Sequence, residues 1–408
     1  MRGFCLVLRR KKSETTLIQV YKDNVIKMKQ RIGRLYFIDA MRAWAILMML
    51  QGHFVDGLLD NAFMDDTSAV YIIWKYFRGI TAPVFFTVSG FIFTFLLTKA
   101  PRKGFDNPRV KKGLKRGFQL LVIGYLLRLN IGSLLKGQIY SAFYLVDVLH
   151  CIGLSLIGIV IVYLICYKSE KLVFPSLLLL ISILLFVFEP QYKPLTYSFL
   201  PEALANYFTR ANGSVFTVIP WIGYTAFGGF LSTLFNRFKD AKYLYVFAIS
   251  LSALCGLWLI FYSSAFFVDM ERWTGLELFK GIYSNNYLFI RLGDVLVVFA
   301  VFMLFKRLME YKTLLEIGQS TLSIYVVHFI ILYGSFTGMG LYRYFSYSLS
   351  PIVVITCAIL FMFVCTIIAL QYKKHKESVK YAISVTFTYF WEVLKSWYRM
   401  GLLLLKRK

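Results

Sequence analysis

The chain has 408 residues, of which 58% are hydrophobic and 16% charged, yet its formal net charge is +25. Soluble domains hold about 45–50% apolar and about 25% charged residues, so this composition excludes a soluble enzyme core and a disordered chain. The six cysteines form no CxxC pair and five lie in apolar segments, which predicts neither a disulfide framework nor a metal site. The composition therefore predicts a polytopic membrane protein.

Ten apolar runs approach the length of about 20 residues that a membrane-spanning helix needs. They cover residues 37–57, 78–98, 116–135, 148–167, 172–188, 215–235, 243–262, 288–305, 315–335 and 351–370. We therefore predict an all-α fold, a polytopic integral membrane helix bundle of about ten transmembrane helices.

The basic residues predict the orientation of this bundle. About 35 of the 46 Lys and Arg fall in the two tails and the even-numbered connections, with a dense group in the loop 99–116. Short cytoplasmic loops accumulate Lys and Arg, so both termini are predicted to be cytoplasmic. Because these residues alternate with apolar runs and form no single basic domain, we expect no nucleic-acid partner.

The chain is predicted to consist of three parts. Residues 1–34 form a basic cytoplasmic tail, and we leave open whether residues 1–27 are dispensable. Residues 35–372 form the ten-helix transmembrane domain. Residues 373–408 mix aromatic side chains with lysines, which predicts a basic amphipathic helix on the cytoplasmic membrane surface. The bundle must therefore hold any active or transport site.

The first span contains three ionisable residues, Asp39, Arg42 and His53. Asp39 and Arg42 are three residues apart and so share one helix face. Arg42 and His53 are separated by about 16 Å of helix axis, close to three full turns. All three residues therefore lie on one stripe of the helix, with His53 near its outer end. Asp39 and Arg42 could equally form an ion pair that only orients the helix.

Further ionisable residues are predicted at the depth of His53, in the outer half of the membrane. Each acid–base pair among them could be a structural tie between helices. Together they favour a reactive site, since a histidine oriented by a carboxylate is a typical general base and arginines stabilise developing negative charge. They are Arg78, Arg128, Asp147, His150, Arg291, Asp294 and His328.

Three segments resemble a known family, the transmembrane acyltransferases, and most closely the bacterial relatives of heparan-alpha-glucosaminide N-acetyltransferase. In chain order, the first segment is similar to the first helix of the family, and the second segment is similar to its second helix. The third segment is similar to a late helix of the related membrane O-acyltransferases. In this chain they are Arg34-x4-Asp39-x2-Arg42 with Gly52-His53, Arg78-Gly79-x2-Ala82-Pro83-x-Phe85-Phe86-x2-Ser89-Gly90-Phe91, and Gly318-Gln319-Ser320-x3-Ile324-Tyr325-x2-His328.

The resemblance implies an enzyme of the bacterial cytoplasmic membrane. Such an enzyme takes an acetyl group from cytoplasmic acetyl-CoA and delivers it to a sugar amine or hydroxyl of a glycan or glycolipid on the far side. The implied catalytic residue is His53, and Arg42 is implied on the acetyl-CoA side. Membrane lipid is a further partner, and a homo-oligomer is left open.

The remaining candidate residues are assigned by their place in the spans. Asp147, His150 and His328 are grouped with His53 as catalytic. Arg78, Arg128, Arg291 and Asp294 are assigned to the oxyanion or acceptor side. Asp39, Ser89 and Gly90 join Arg42 as the residues expected to bind acetyl-CoA.

Two other classes of function stay open at this point. A proton-coupled transporter of a small polar or anionic solute would use the buried His, Asp and Arg residues as a relay, although no inverted repeat is evident in the sequence. A membrane scaffold or lipid-binding protein would not need three histidines and four arginines inside its spans.

Overall fold

The computed structural model describes residues 35–405, and its regular secondary structure in this range is helical, apart from two isolated β-bridges. Thirteen of the described helices have eight residues or more. They are α1 Tyr36–Leu58, α2 Ala69–Thr98, α3 Pro108–Arg128, α4 Val148–Cys166, α5 Val173–Val187, α6 Val218–Arg237, α7 Leu244–Thr274, α8 Glu277–Ser284, α9 Tyr287–Leu304, α10 Lys312–Gln319, α11 Thr321–Tyr333, α12 Pro351–Lys374 and α13 Lys376–Leu405.

Helix α1 lies at the centre of the bundle. It packs against α2, α9, α10, α11 and α12, and most of its side chains are buried. A helix surrounded in this way can place polar side chains away from lipid, where neighbouring helices supply their partners. This position allows α1 to hold Asp39, Arg42 and His53 inside the bundle.

Helices α2 and α6 make the most extensive contact in the bundle. Gly90 of α2 lies against the backbone of Thr225, and Gly228 of α6 lies against the backbone of Thr87; a Cβ added at either glycine would come within 2 Å of a carbonyl oxygen. Small residues allow membrane helices to approach this closely. The α2–α6 contact thus fixes the position of the start of α2, which carries Arg78.

Six of the described helices are long and apolar enough to cross a membrane, or seven spans if the bent pair α10–α11 counts as one. Only 6% of the apolar window of α7 is buried, and 28% of that of α12. Apolar helix faces exposed to this extent are typical of contact with lipid. The chain is therefore a multi-pass integral membrane protein.

The three remaining predicted spans form helices that do not meet the same criteria of length and composition. Helix α5 has only 15 residues, α3 is basic over its first half, and α1 contains several polar residues. The count of about ten spans and the cytoplasmic placement of the termini therefore stay predictions.

Two predicted spans had wrong boundaries. The third, 116–135, begins at Pro108 and ends at Arg128, because the Asn130 side chain accepts a hydrogen bond from the Ser133 N–H and begins a separate short helix. The ninth, 315–335, is two helices bent by 69° between Gln319 and Thr321. At this bend Gly318 lies against the backbone of Asp39, which brings α10 close to α1.

Two other helices are longer than their predicted spans. Helix α2 begins at Ala69 rather than 78, and α7 ends at Thr274 rather than 262. The predicted C-terminal helix extends from Lys376 to Leu405. The predicted N-terminal tail, residues 1–34, lies outside the described residues.

Candidate functional site

A cavity of about 550 Å³ opens where several helix ends meet. The C-terminal half of α1, the N-terminal half of α2 and the starts of α4, α6 and α9 all contribute to its wall. The alternating helix directions predicted from the basic residues put all five of these ends on the outer side. Two of the residues singled out in the sequence, His53 and Arg78, line this cavity.

His53 is partly buried in the cavity wall and is held by two residues of α11. Its Nδ1 atom is 2.9 Å from the hydroxyl oxygen of Tyr333, and its ring centroid is 5.4 Å from that of His328. No described residue hydrogen-bonds to Nε2 of His53. The hydrogen bond fixes the ring orientation and leaves the second nitrogen available for proton transfer.

His328 is completely buried between His53 and Tyr325. Neither of its ring nitrogens has a hydrogen-bond partner among the described residues. Its ring therefore lies in the interior of the bundle, directly beside the ring of His53.

Arg78 packs against α1 at Gly52, the residue that precedes His53. The Arg78 side chain passes over Gly52, where an added Cβ would lie 3.1 Å from its Cγ atom. Its guanidinium forms an ion pair with Asp56, one turn beyond His53 on α1. Arg78 therefore brings a positive charge to the mouth of the cavity, partly neutralised by Asp56.

Arg291 lies behind the cavity wall, where it contacts Asp294 and Tyr76. Its Nη1 atom is 2.8 Å from Asp294, and its guanidinium lies 4.5 Å from the ring centroid of Tyr76. The Tyr76 hydroxyl donates to the other carboxylate oxygen of Asp294 at 2.6 Å. The guanidinium covers Gly79, where a Cβ would be 2.6 Å from Nη2. This cluster ties α9 to α2.

Arg128, Asp147 and His150 form a second cluster that does not line the cavity. Asp147 accepts a hydrogen bond from the Val148 N–H and begins α4, while Nδ1 of His150 accepts one from the Asp147 N–H. Arg128 is 3.2 Å from the Asp147 carboxylate. This geometry is a helix-capping arrangement, and Asp147 is near enough for its charge to act on His53.

Asp39 and Arg42 lie at the other end of α1. Their side chains are 3.7 Å apart, and Nη2 of Arg42 donates to the Thr321 hydroxyl at 3.0 Å. Thr321 is the first residue of α11, directly after the bend. The pair therefore joins α1 to the broken helix, and neither residue lines the cavity around His53.

Ser89 and Gly90 are explained by packing. The Ser89 hydroxyl donates to the Phe85 carbonyl oxygen at 2.7 Å, within the same helix. Gly90 allows the close approach of α6. The structure thus gives Gly90 a role in the α2–α6 contact and Ser89 a hydrogen bond within α2, and their assignment to acetyl-CoA binding stays a prediction.

Several cavity residues were missed at the level of the sequence, among them Lys193, Arg210 and Trp221. Lys193 and Arg210 lie in the connection between α5 and α6. They were counted among the basic residues of the chain, but they belong to no predicted span. Trp221 follows Pro220 at the start of α6, and its position among apolar residues is typical of a core residue. No spacing in the sequence connects these residues to His53, because they come from loops and helix starts that only the fold brings together.

The fold and the site define a multi-pass helical membrane protein with a histidine-containing cavity at one end of its bundle. Residues 35–371 match a protein family described as an acyltransferase domain. The chain belongs to this family, the acyltransferase-3 family, and is a membrane acyltransferase. No characterised protein matches the chain significantly.

Proposed function

We propose that the protein moves an acetyl group from cytoplasmic acetyl-CoA to a sugar amine or hydroxyl of an extracytoplasmic glycan or glycolipid. The observation that carries this proposal is the position of His53, in the wall of the cavity and oriented by Tyr333. The resemblance of the Gly52-His53 and Arg78-Gly79 segments to relatives of heparan-alpha-glucosaminide N-acetyltransferase supports a sugar acceptor.

His53 acts as the general base. In the tautomer that carries its proton on Nδ1, the imidazole donates to the Tyr333 oxygen, and the Nε2 lone pair accepts the proton of the acceptor. The acceptor oxygen or nitrogen attacks the thioester carbonyl, a new ester or amide bond forms, and the carbon–sulfur bond breaks. His53 then returns the proton to the departing CoA thiolate.

Arg78 stabilises the negative charge that develops on the thioester oxygen. It lies at the mouth of the same cavity, and the Asp56 ion pair orients its guanidinium. A cation that is already oriented stabilises an oxyanion without reorganisation during the reaction. Arg128 and Arg291 instead hold helices together in their ion pairs.

The donor is expected to enter from the opposite end of α1. Asp39 and Arg42 lie there beside the bend between α10 and α11, with Arg42 about 16 Å of helix axis from His53. Acetyl-CoA carries phosphates that Arg42 and the basic loop 99–116 can attract. Its long pantetheine arm could cover the distance to His53.

The alternative of a proton-coupled transporter is not favoured. The chain belongs to an acyltransferase family. In addition, Asp147 and His150 are used to cap α4, and Arg291 is paired with Asp294, so these groups are engaged in the structure of the bundle.

The experiment that tests the role of His53 is acetyl transfer by the His53→Ala variant. Transfer from acetyl-CoA is measured with the purified full-length protein in detergent, with glucosamine as the acceptor. Removal of the base should lower the transfer rate by about 100-fold or more, with little change in expression.

His375→Ala is the matched control, since it removes the exposed histidine that follows α12 and lies outside the cavity. This variant should retain the wild-type rate. A His53→Ala variant with the wild-type rate would reject His53 as the base.

A further inference from the structure

We propose that the cavity beside His53 selects an acceptor that carries a negatively charged group, a carboxylate or a phosphate, and that Arg210 binds this group. The inference deepens the proposed function, because it names the chemical class of the acceptor. It rests on the charges, the unsatisfied polar groups and the aromatic wall of this one cavity.

The charged residues of the cavity wall are Arg78, Glu189, Lys193 and Arg210. Arg78 is paired with Asp56, and Nζ of Lys193 is 2.9 Å from Glu189. The Arg210 side chain, in contrast, forms no ion pair or hydrogen bond with any described residue. Arg210 therefore gives the cavity one uncompensated positive charge, and a guanidinium can bind a carboxylate or phosphate through two hydrogen bonds.

Two buried donors in the same wall also lack partners. The Trp221 side chain is 4% exposed and Thr81 is 5% exposed. Neither the indole N–H of Trp221 nor the hydroxyl of Thr81 has a hydrogen-bond partner among the described residues. Because buried polar groups are nearly always hydrogen-bonded, these two atoms are suited to bind the hydroxyl groups of a ligand.

Aromatic side chains form much of the rest of the wall. Trp221 packs against Phe86 and Phe216, with ring centroids 5.2 Å and 4.8 Å away. Tyr192 and Tyr287 line the cavity as well. Apolar walls with a few polar groups are typical of small-ligand sites, and with a cation at one edge they fit a sugar acid or a sugar phosphate.

Binding of three sugars to the purified full-length protein in detergent tests the inference. The probes are glucuronic acid, glucose 6-phosphate and glucose, titrated without acetyl-CoA. At least one of the two anionic sugars should bind about tenfold or more tightly than glucose, as expected for a charge-assisted contact. Tighter binding of glucuronic acid identifies a carboxylate, and tighter binding of glucose 6-phosphate identifies a phosphate.

Arg210→Gln should abolish this preference, and Arg210→Lys should retain part of it. The matched control is Arg272→Gln, which removes an arginine that is exposed like Arg210 but lies outside the cavity, at the end of α7. It should bind the three probes as the wild type does. Equal affinity for all three sugars, absence of saturable binding by both anionic sugars, or an unchanged preference in Arg210→Gln would overturn the inference.

The binding assay separates this inference from the proposed function. If anionic sugars bind through Arg210 but His53→Ala still transfers acetyl groups, the acceptor is anionic but His53 is not the base. If His53→Ala is inactive but Arg210→Gln binds normally, the acyl-transfer mechanism holds and the acceptor class fails.

Discussion

His53 is oriented by a phenol. The acids and histidines predicted at one depth suggested a carboxylate partner, but Asp147 is engaged with Arg128 and the start of α4, and Nδ1 of His53 is hydrogen-bonded to the Tyr333 hydroxyl oxygen instead. Tyr333 lies five residues after His328, in a run of apolar residues that gives no sign of a polar role. The histidine could therefore be predicted from the sequence, whereas its partner could not.

Tyr333→Phe tests this orientation. The variant keeps the ring that packs against Phe329 but removes the hydroxyl group bonded to His53. We expect the transfer rate to fall about three- to tenfold, the equivalent of one neutral hydrogen bond, with the thermal stability nearly unchanged.

Tyr344→Phe is the control for this change, since it removes an exposed hydroxyl group from the same region of the chain. It should leave the rate unchanged. An equal rate in Tyr333→Phe and the wild type would show that the hydrogen bond does not position the base.

At the scale of the helices, the sequence predicts regular spans well and breaks in them poorly. Helices α4 and α9 begin and end within one residue of prediction, because polar residues follow their apolar runs directly. The bend between α10 and α11 was missed because hydropathy continues across it without a proline. The close approach of Gly318 to the backbone of Asp39 at this bend is a tertiary contact, which no local pattern reveals.

Gly90→Ala tests the close contact of α2 and α6. The added methyl group would meet the Thr225 carbonyl oxygen, a backbone atom that cannot move away without shifting a helix. Overpacking of this kind costs about 1–3 kcal/mol, so the thermal unfolding temperature in detergent should fall by several degrees.

Gly158→Ala gives the matched comparison within α4. Its nearest neighbour is the flexible end of Ile222, 3.3 Å from an added Cβ, so this variant should unfold close to the wild-type temperature. Equal unfolding temperatures for both variants would contradict a tight α2–α6 contact.

At the scale of the whole molecule, the orientation stays a prediction from the basic residues, and it places the cavity at the outer end of the bundle. The helix ends that line the cavity are those predicted to face outward, away from the loop 99–116. The sequence could predict this alternation from charge alone. It could not predict Arg210, Lys193 and Trp221 as neighbours of His53, because loops and helix starts meet only after the bundle assembles.

Reporter fusions test this orientation. Alkaline phosphatase fused after Lys136, in the connection between α3 and α4, should be active because it lies outside the cytoplasm. The same reporter fused after Arg102, in the connection between α2 and α3, should be inactive. The opposite pattern would place the basic loops outside and would contradict access of cytoplasmic acetyl-CoA to the Arg42 end of α1.

The most direct test of the account is calorimetric titration of acetyl-CoA into the purified full-length protein in detergent. We expect saturable binding of acetyl-CoA, and free CoA should compete with it. Arg42→Gln should weaken this binding, because Arg42 is the cation proposed to bind acetyl-CoA. His53→Ala should still bind acetyl-CoA while failing to transfer its acetyl group. A folded wild-type protein that does not bind acetyl-CoA would contradict the account.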